Sequence, residues 1–229
     1  MSGKINSSRE ILEVFCDASL LTFQNTGRVF TCSGSICRNT AEERYQISPD
    51  STNNRGELVA IYLGVKLAEE MLLKYPGRFG RINLYSDSQF GIFGIKKWIG
   101  SWMKNTDSNG IMYGSSNTPV KNQELFLMII TYMVTHNLVV HFFHQKGHVH
   151  TGSKASLDAA NDVFCNSNGF KLSTDDIFKI SFYNNVIDLS TRNILKDVNP
   201  YDYPKIEYGT RNIEMCQYIM PNNYRNYVK

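Results

Sequence analysis

Apolar and polar residues succeed each other along the chain with a period that changes from segment to segment. Residues 12–16 (LEVFC) are a short apolar run ending at Asp17, and residues 82–86 (INLYS) are another ending at Asp87. Runs this short predict strands. The stretch from Arg28 to Arg38, rich in Val, Ile, Phe, Thr and Ser and punctuated by Gly27 and Gly34, predicts a strand or hairpin. Residues 39–54 are polar and end in Ser-Thr-Asn-Asn, a loop signal. From Gly56 to Lys74, Leu58, Ile61, Tyr62, Val65, Ala68 and Leu72 recur every three or four residues, marking one face of a helix that Tyr75-Pro76-Gly77 ends. Glu57 falls in the first turn of that helix as predicted, where a carboxylate suits the positive end of the dipole. A further helix is predicted from about Gln89 to Lys104, a loop over 105–120, a buried helix from Leu125 to Thr135, a strand from Leu138 to His144 and a short helix from Leu157 to Cys165. This order predicts an α/β sandwich around a mixed sheet.

Beyond about residue 170 the texture changes. The last 60 residues hold seven of the 13 tyrosines and three of the six prolines. Ser173-Thr174-Asp175-Asp176 resembles a capping box ahead of Ile177 and Phe178, and Pro200, Pro204 and Pro221 interrupt the remainder of the chain. This part, residues 169–229, is expected to be a separate C-terminal extension that packs on the domain or meets a protein partner.

Composition narrows the class without naming a function. The chain has 229 residues, 42% of them hydrophobic and 20% charged, enough to bury a core without metal or disulfide staples and unlike a disordered or collagen-like protein. A net charge of +3 neither announces nor excludes a nucleic-acid binder. The five cysteines form no C-x-x-C pair, which argues against a zinc finger or disulfide framework and for a reducing, cytoplasmic setting. MSGKINSSRE has no apolar signal-peptide core. The longest apolar stretch, Leu125 to Val134, is too short to span a bilayer, so no membrane partner is expected.

The candidate chemistry lies in four acids. Asp17 and Asp87 come directly after apolar strands, Glu57 opens a helix, and Asp162 lies on a helix after the last strand. Taken singly, each is an ordinary turn, cap or first-turn acid. In an open α/β sheet, however, strand ends and the helix starts beside them converge on one crevice. Four carboxylates gathered there repel one another strongly unless cations join them, and hard oxygen donors suit Mg²⁺ or Mn²⁺ rather than zinc. Two such ions about 4 Å apart can activate a water and stabilise a leaving oxygen in phosphodiester cleavage.

FCDAS (15–19), TNNRGEL (52–58), LYSDSQF (84–90), PVKN (119–122) and QKGH (145–148) occur in an order and spacing that resemble type 1 ribonuclease H over residues 10–168. The resemblance implies an RNase H-like fold, with a five-stranded mixed sheet flanked by helices. It also implies a two-metal endoribonuclease that hydrolyses the RNA strand of RNA–DNA hybrids, leaving 3′-hydroxyl and 5′-phosphate ends. By the same resemblance Asp17, Glu57 and Asp87 would hold two Mg²⁺ ions, with Mn²⁺ as a substitute. The fourth ligand would be Asp162, in ANDVFC. The interval from His148 is longer here than in the common bacterial form, and Asp158, one turn earlier, fits the shorter spacing. Asp162 is preferred for the apolar residues after it. His148 is similar to the family's mobile histidine, a proton shuttle that helps product leave. A rival zinc site of His141, His144, His148 and His150 is disfavoured, because residues three apart in a strand face opposite sides.

The same resemblance implies the substrate contacts. Asn53, Asn54 and Gln89 match positions that touch the hybrid across its minor groove, where the 2′-hydroxyl distinguishes RNA. Thr52 and Asn122 match a pocket for a DNA-strand phosphate. Lys96, Lys97, Trp98, Trp102 and Lys104 form a basic, aromatic helix like the family's substrate-binding protrusion. The loop after it is not basic and a further family tryptophan is missing, so a weaker handle is expected, with hybrid affinity helped elsewhere. Core packing of both indoles is the plain alternative. A hybrid-binding module without cleavage, or another nuclease of this fold, are the competing functions.

Overall fold

A computed structural model describes residues 9–205 and 223–229. Residues 1–8 and 206–222, with Cys216 and Pro221, lie outside the described residues. Strands β1 (Glu10–Thr22), β2 (Val29–Cys37) and β3 (Glu42–Pro49) form an antiparallel meander. β4 (Phe79–Ser86) and β5 (Val140–His144) extend the sheet in parallel on the other side of β1, giving the order β3-β2-β1-β4-β5. This is the five-stranded mixed sheet expected. β3 corrects the expected loop over 39–54. It is an edge strand with Glu43, Arg44 and Gln46 exposed; charge on an edge deters further pairing and also hides the strand's alternation.

β1 is buried on both faces along most of its length, so LEVFC is apolar at every position but the half-buried Glu13. Leu12, Val14 and Cys16 join one core with α1 (Asn53–Lys74) and α4 (Gln123–Thr135), while Phe15, between them, points into a second core on the opposite face. α1 begins earlier than its apolar periodicity predicts, because the Thr52 side chain accepts the Arg55 backbone N–H and starts the helix at Asn53. Glu57 is therefore in the second turn, not the first.

The second core is closed by α5 (Lys154–Asn168) and α6 (Thr174–Lys196). Ser173 caps α6, its Oγ accepting the Asp176 N–H at 3.1 Å. Ile177, Ile180 and Ile187 of α6 are buried with Phe15 and Ile36. Gly34 of β2 lets the helix lie close on the sheet: a Cβ there would come within 2.7 Å of Thr191 Cγ2 and 2.9 Å of Ile187 Cδ1. α6 is thus part of a helical layer of the domain. The predicted helix over 89–104 is α2 (Gln89–Phe93), one π-helical turn (Gly94–Trp98) and α3 (Ile99–Lys104). Residues 223–229 return to the β5 edge, where the Val140 N–H donates to Tyr227 O at 2.9 Å and the Phe142 N–H to Lys229 O at 3.0 Å. Among the described residues no helix is long and apolar enough to cross a membrane.

Candidate active site

β4 stops at Ser86, paired with Cys16, while β1 runs on to Thr22. Asp17 and Asp87 therefore lie side by side where the parallel pair ends, the place where an open α/β sheet forms its crevice. Glu57 arrives from α1. Gly56 admits this approach, since a Cβ there would sit 3.1 Å from Ala18 Cβ. One oxygen from each of Asp17, Glu57 and Asp87 lies within 4.8 Å of the others. Asp17 and Glu57 are only 4% and 6% exposed.

The surroundings do little to neutralise this charge. Asp17 Oδ1 accepts the Ala18 N–H at 2.7 Å, while Glu57 Oε2 is buried with no hydrogen-bond partner. Burial, and after it the Asp87 and Asp188 charges, push the Asp17 carboxyl well above the usual carboxylate range. Burial and then Asp17 and Asp87 do the same to Glu57, and burial raises Asp87. Gly147, in the loop after β5, lies against Asp87 so closely that a Cβ would collide with Oδ2. A hard, oxygen-only donor set with an unsatisfied buried oxygen fits a divalent cation. Among the described residues this is the one group of three or more potential ligands placed for a metal; the four histidines make none. His144 is buried, with Nδ1 2.7 Å from Ser167 Oγ.

The triad sits in a cleft of about 980 Å³. Asn53, Asn54 and Gln89 line its mouth and are exposed. Asn122 has a left-handed backbone (φ 57°), and its Oδ1 accepts from Arg55 Nη1 at 3.3 Å; Arg55 also pairs with Glu124. Thr52 and Asn122 are thus tied together through Arg55. His148 lines the cleft on a strained loop position (φ 51°), its side chain 69% exposed. Trp98, Trp102, Lys96 and Lys97 do not line this cleft. Trp102 is buried in the core beside Phe126, whereas Trp98 is 38% exposed. Lys96 donates to the Phe142 carbonyl at 2.8 Å, and Lys97 lies 4.0 Å over the Phe93 ring. With Lys104 and Arg225 the two lysines line a second groove of about 380 Å³.

Comparison with known proteins decides the family: the RNase H family profile matches residues 9–163. The chain belongs to the RNase H family. It is 34% identical over 120 residues to Ribonuclease HI of Haemophilus influenzae, covering 52% of this chain and 67% of that protein. It is 29% identical over 145 residues to Ribonuclease H of Thermoanaerobacter sp. (strain X514), covering 63% and 83%. Among solved structures, LC9-RNase H1, described as a type 1 RNase H with the type 2 active-site motif, aligns with TM-score 0.43 and 17% identity over 74% of this chain and 81% of that one.

The RNase H match includes Asp162, but the structure does not bring that residue to the triad. Its side chain is 63% exposed and pairs with Lys171 at 3.0 Å. Asp158 does not line the cleft either, being 62% exposed and paired with Lys154. Both lie away from the face on which α5 buries Leu157, Ala160 and Phe164. The acid that does line the cleft is Asp188, on α6, beyond the matched segment. Sequence reasoning passed over it. The one signal it offers in the chain is the spacing of Asn184, Asp188 and Arg192 by four on a helix with an apolar stripe.

Proposed function

We propose that this ribonuclease H hydrolyses the RNA strand of RNA–DNA hybrids with two divalent cations, Mg²⁺ by preference, held by Asp17, Glu57 and Asp87. The carrying observation is the buried carboxylate triad with its unpartnered Glu57 oxygen. Bound there, the ions would supply charge to activate a water and stabilise the leaving oxygen, giving 3′-hydroxyl and 5′-phosphate ends. Asn53, Asn54 and Gln89 at the mouth offer amides to the 2′-hydroxyls of the RNA strand. Thr52 and Asn122 receive a DNA-strand phosphate beside Arg55. His148, exposed on its loop, is free to move a proton to or from the departing product.

The second contact with the hybrid is the groove of Lys96, Lys97, Lys104 and Arg225, together with Trp98, which follows Lys97 in the chain and packs on Phe93. Trp102 acts there only by supporting Trp98, 5.9 Å away between ring centroids. Arg225 adds a cation to a handle whose own loop has few, and it comes from the C-terminal residues.

The test is to incubate the full chain with RNA–DNA hybrid, duplex DNA and duplex RNA, in Mg²⁺ or in chelator. The expected result is cleavage of the hybrid alone, abolished by chelator. A protein that binds hybrid without cutting it would instead be a tethering module, and cleavage of duplex DNA would mark another nuclease of this fold.

A further inference from the structure

We propose that Asp188, on the C-terminal helix α6, is the fourth carboxylate of the metal site, in the role that the family pattern assigns to an aspartate of α5. This rests on the reading of Asp17, Glu57 and Asp87 as cation ligands. α6 carries three polar side chains at intervals of four residues on this side: Asn184, buried behind Asp87, then Asp188 and Arg192, which line the cleft. Asn184 is buried; its Nδ2 donates to Asp87 Oδ2 at 3.5 Å and its Oδ1 accepts from Gln145 Nε2 at 2.5 Å. One turn on, Asp188 is 14% exposed and lines the same cleft. A further turn on, Arg192 Nε lies 2.8 Å from Asp188 Oδ1, and His148 Nδ1 lies 3.3 Å from Asp188 Oδ2.

This placement is rigid. Ser19 Oγ on β1 lies 2.8 Å from Thr191 Oγ1, and α6 presses on the sheet at Gly34. Asp188 is therefore fixed relative to the strand that carries Asp17. A mostly buried carboxylate that lines the same cleft as Asp17, Glu57 and Asp87 is unfavourable unless a cation accompanies it. Arg192 serves as that cation here, and at 51% it is exposed enough to leave when a metal ion takes over; His148, 69% exposed, also reaches Asp188. The independent sign that the cluster expects a ligand is Glu57 Oε2, buried and unpaired. Neither α5 aspartate has these properties: each is more than 60% exposed and engaged by a surface lysine.

The experiment is a Mn²⁺ titration of the full chain followed by melting temperature, alongside hybrid cleavage in Mg²⁺. It compares wild type with Asp188→Asn, Asp162→Asn and Arg192→Gln. Asp188→Asn should lose most of the Mn²⁺-induced rise in Tm, or need about 10–100-fold more Mn²⁺ to reach it, and cleavage should fall at least as far. Asp162→Asn should match wild type in both. Arg192→Gln should respond at lower Mn²⁺, because its carboxylate partner is already released; that gain keeps the idea testable if Asp188→Asn does not fold. A wild-type Mn²⁺ response in Asp188→Asn, its loss in Asp162→Asn, or a weaker response in Arg192→Gln would each overturn the proposal. If the Mn²⁺ response depends on Asp188 but no hybrid is cut, the ribonuclease reading fails and the ligand assignment stands.

Discussion

α5 and α6 both come after the last sheet strand, both pack into the second core and both carry aspartates, yet they present those aspartates to different surroundings. α5 buries Leu157, Ala160 and Phe164. Asp162 is two residues from Ala160 and two from Phe164, about 200° around the helix from each. It faces solvent. On α6, Asp188 directly follows buried Ile187 and precedes buried Thr191 by three, so it flanks the packed stripe and reaches the cleft. Motif spacing thus places an acid along a chain, whereas the apolar stripe of its own helix decides which way it points.

Substitutions on the two sides of the cleft put this contrast between the helices at risk. Asp87→Asn, on the motif-bearing side, should lower hybrid cleavage by on the order of 10³-fold or more with the fold intact, read in single-turnover assays. Ile187→Ala, in the stripe that aims Asp188, should cost about 2–5 kcal/mol in urea unfolding, because its side chain is fully buried against β2. A cost near zero would mean that α6 is not part of the core. Gly147→Ala should reduce cleavage about tenfold by displacing Asp87, with little change in hybrid affinity.

The carboxylate cluster also makes stability depend on pH. Asp17 and Glu57 have raised pKa values in the folded state, chiefly through burial. Their contribution is favourable at low pH and is lost as pH rises through those raised values. In chelator at pH 7.5, Asp17→Asn should therefore melt above wild type, by about 2–4 °C for each kcal/mol of repulsion relieved. The gap should narrow towards pH 5 and reverse when Mn²⁺ is added. The smallest effect is expected at the second groove. Arg225→Gln should weaken hybrid binding a few-fold at low salt and lower the salt slope by about one.

Much of this architecture is readable in the chain, for identifiable reasons. The β1 and β4 runs and the α1 periodicity are strong local patterns, and the acids of the triad lie within or directly after them. β3 escapes such a reading because an exposed edge strand carries the polar composition of a loop. Glu57 is expected one turn too early because Asn53 and Asn54 start the helix on a cap rather than on apolar residues. Trp98 and Trp102 share a helix face yet divide between surface and core, which only packing against Phe126 settles. Asp188 is invisible in the motifs because nothing local ties a helix so far beyond QKGH to strand β1; the link is Thr191 to Ser19 and Gly34.

Anomalous diffraction from crystals of the full chain soaked in Mn²⁺ would locate the ions and their ligands in a single measurement. If Asp188 completes the site, manganese peaks will be bounded by Asp17, Glu57 and Asp87, with an Asp188 oxygen in the coordination sphere at about 2.0–2.3 Å and Arg192 displaced from it. Manganese at the triad with Asp188 still paired to Arg192, or with Asp162 turned in as the ligand, would show that α6 does not supply the fourth carboxylate.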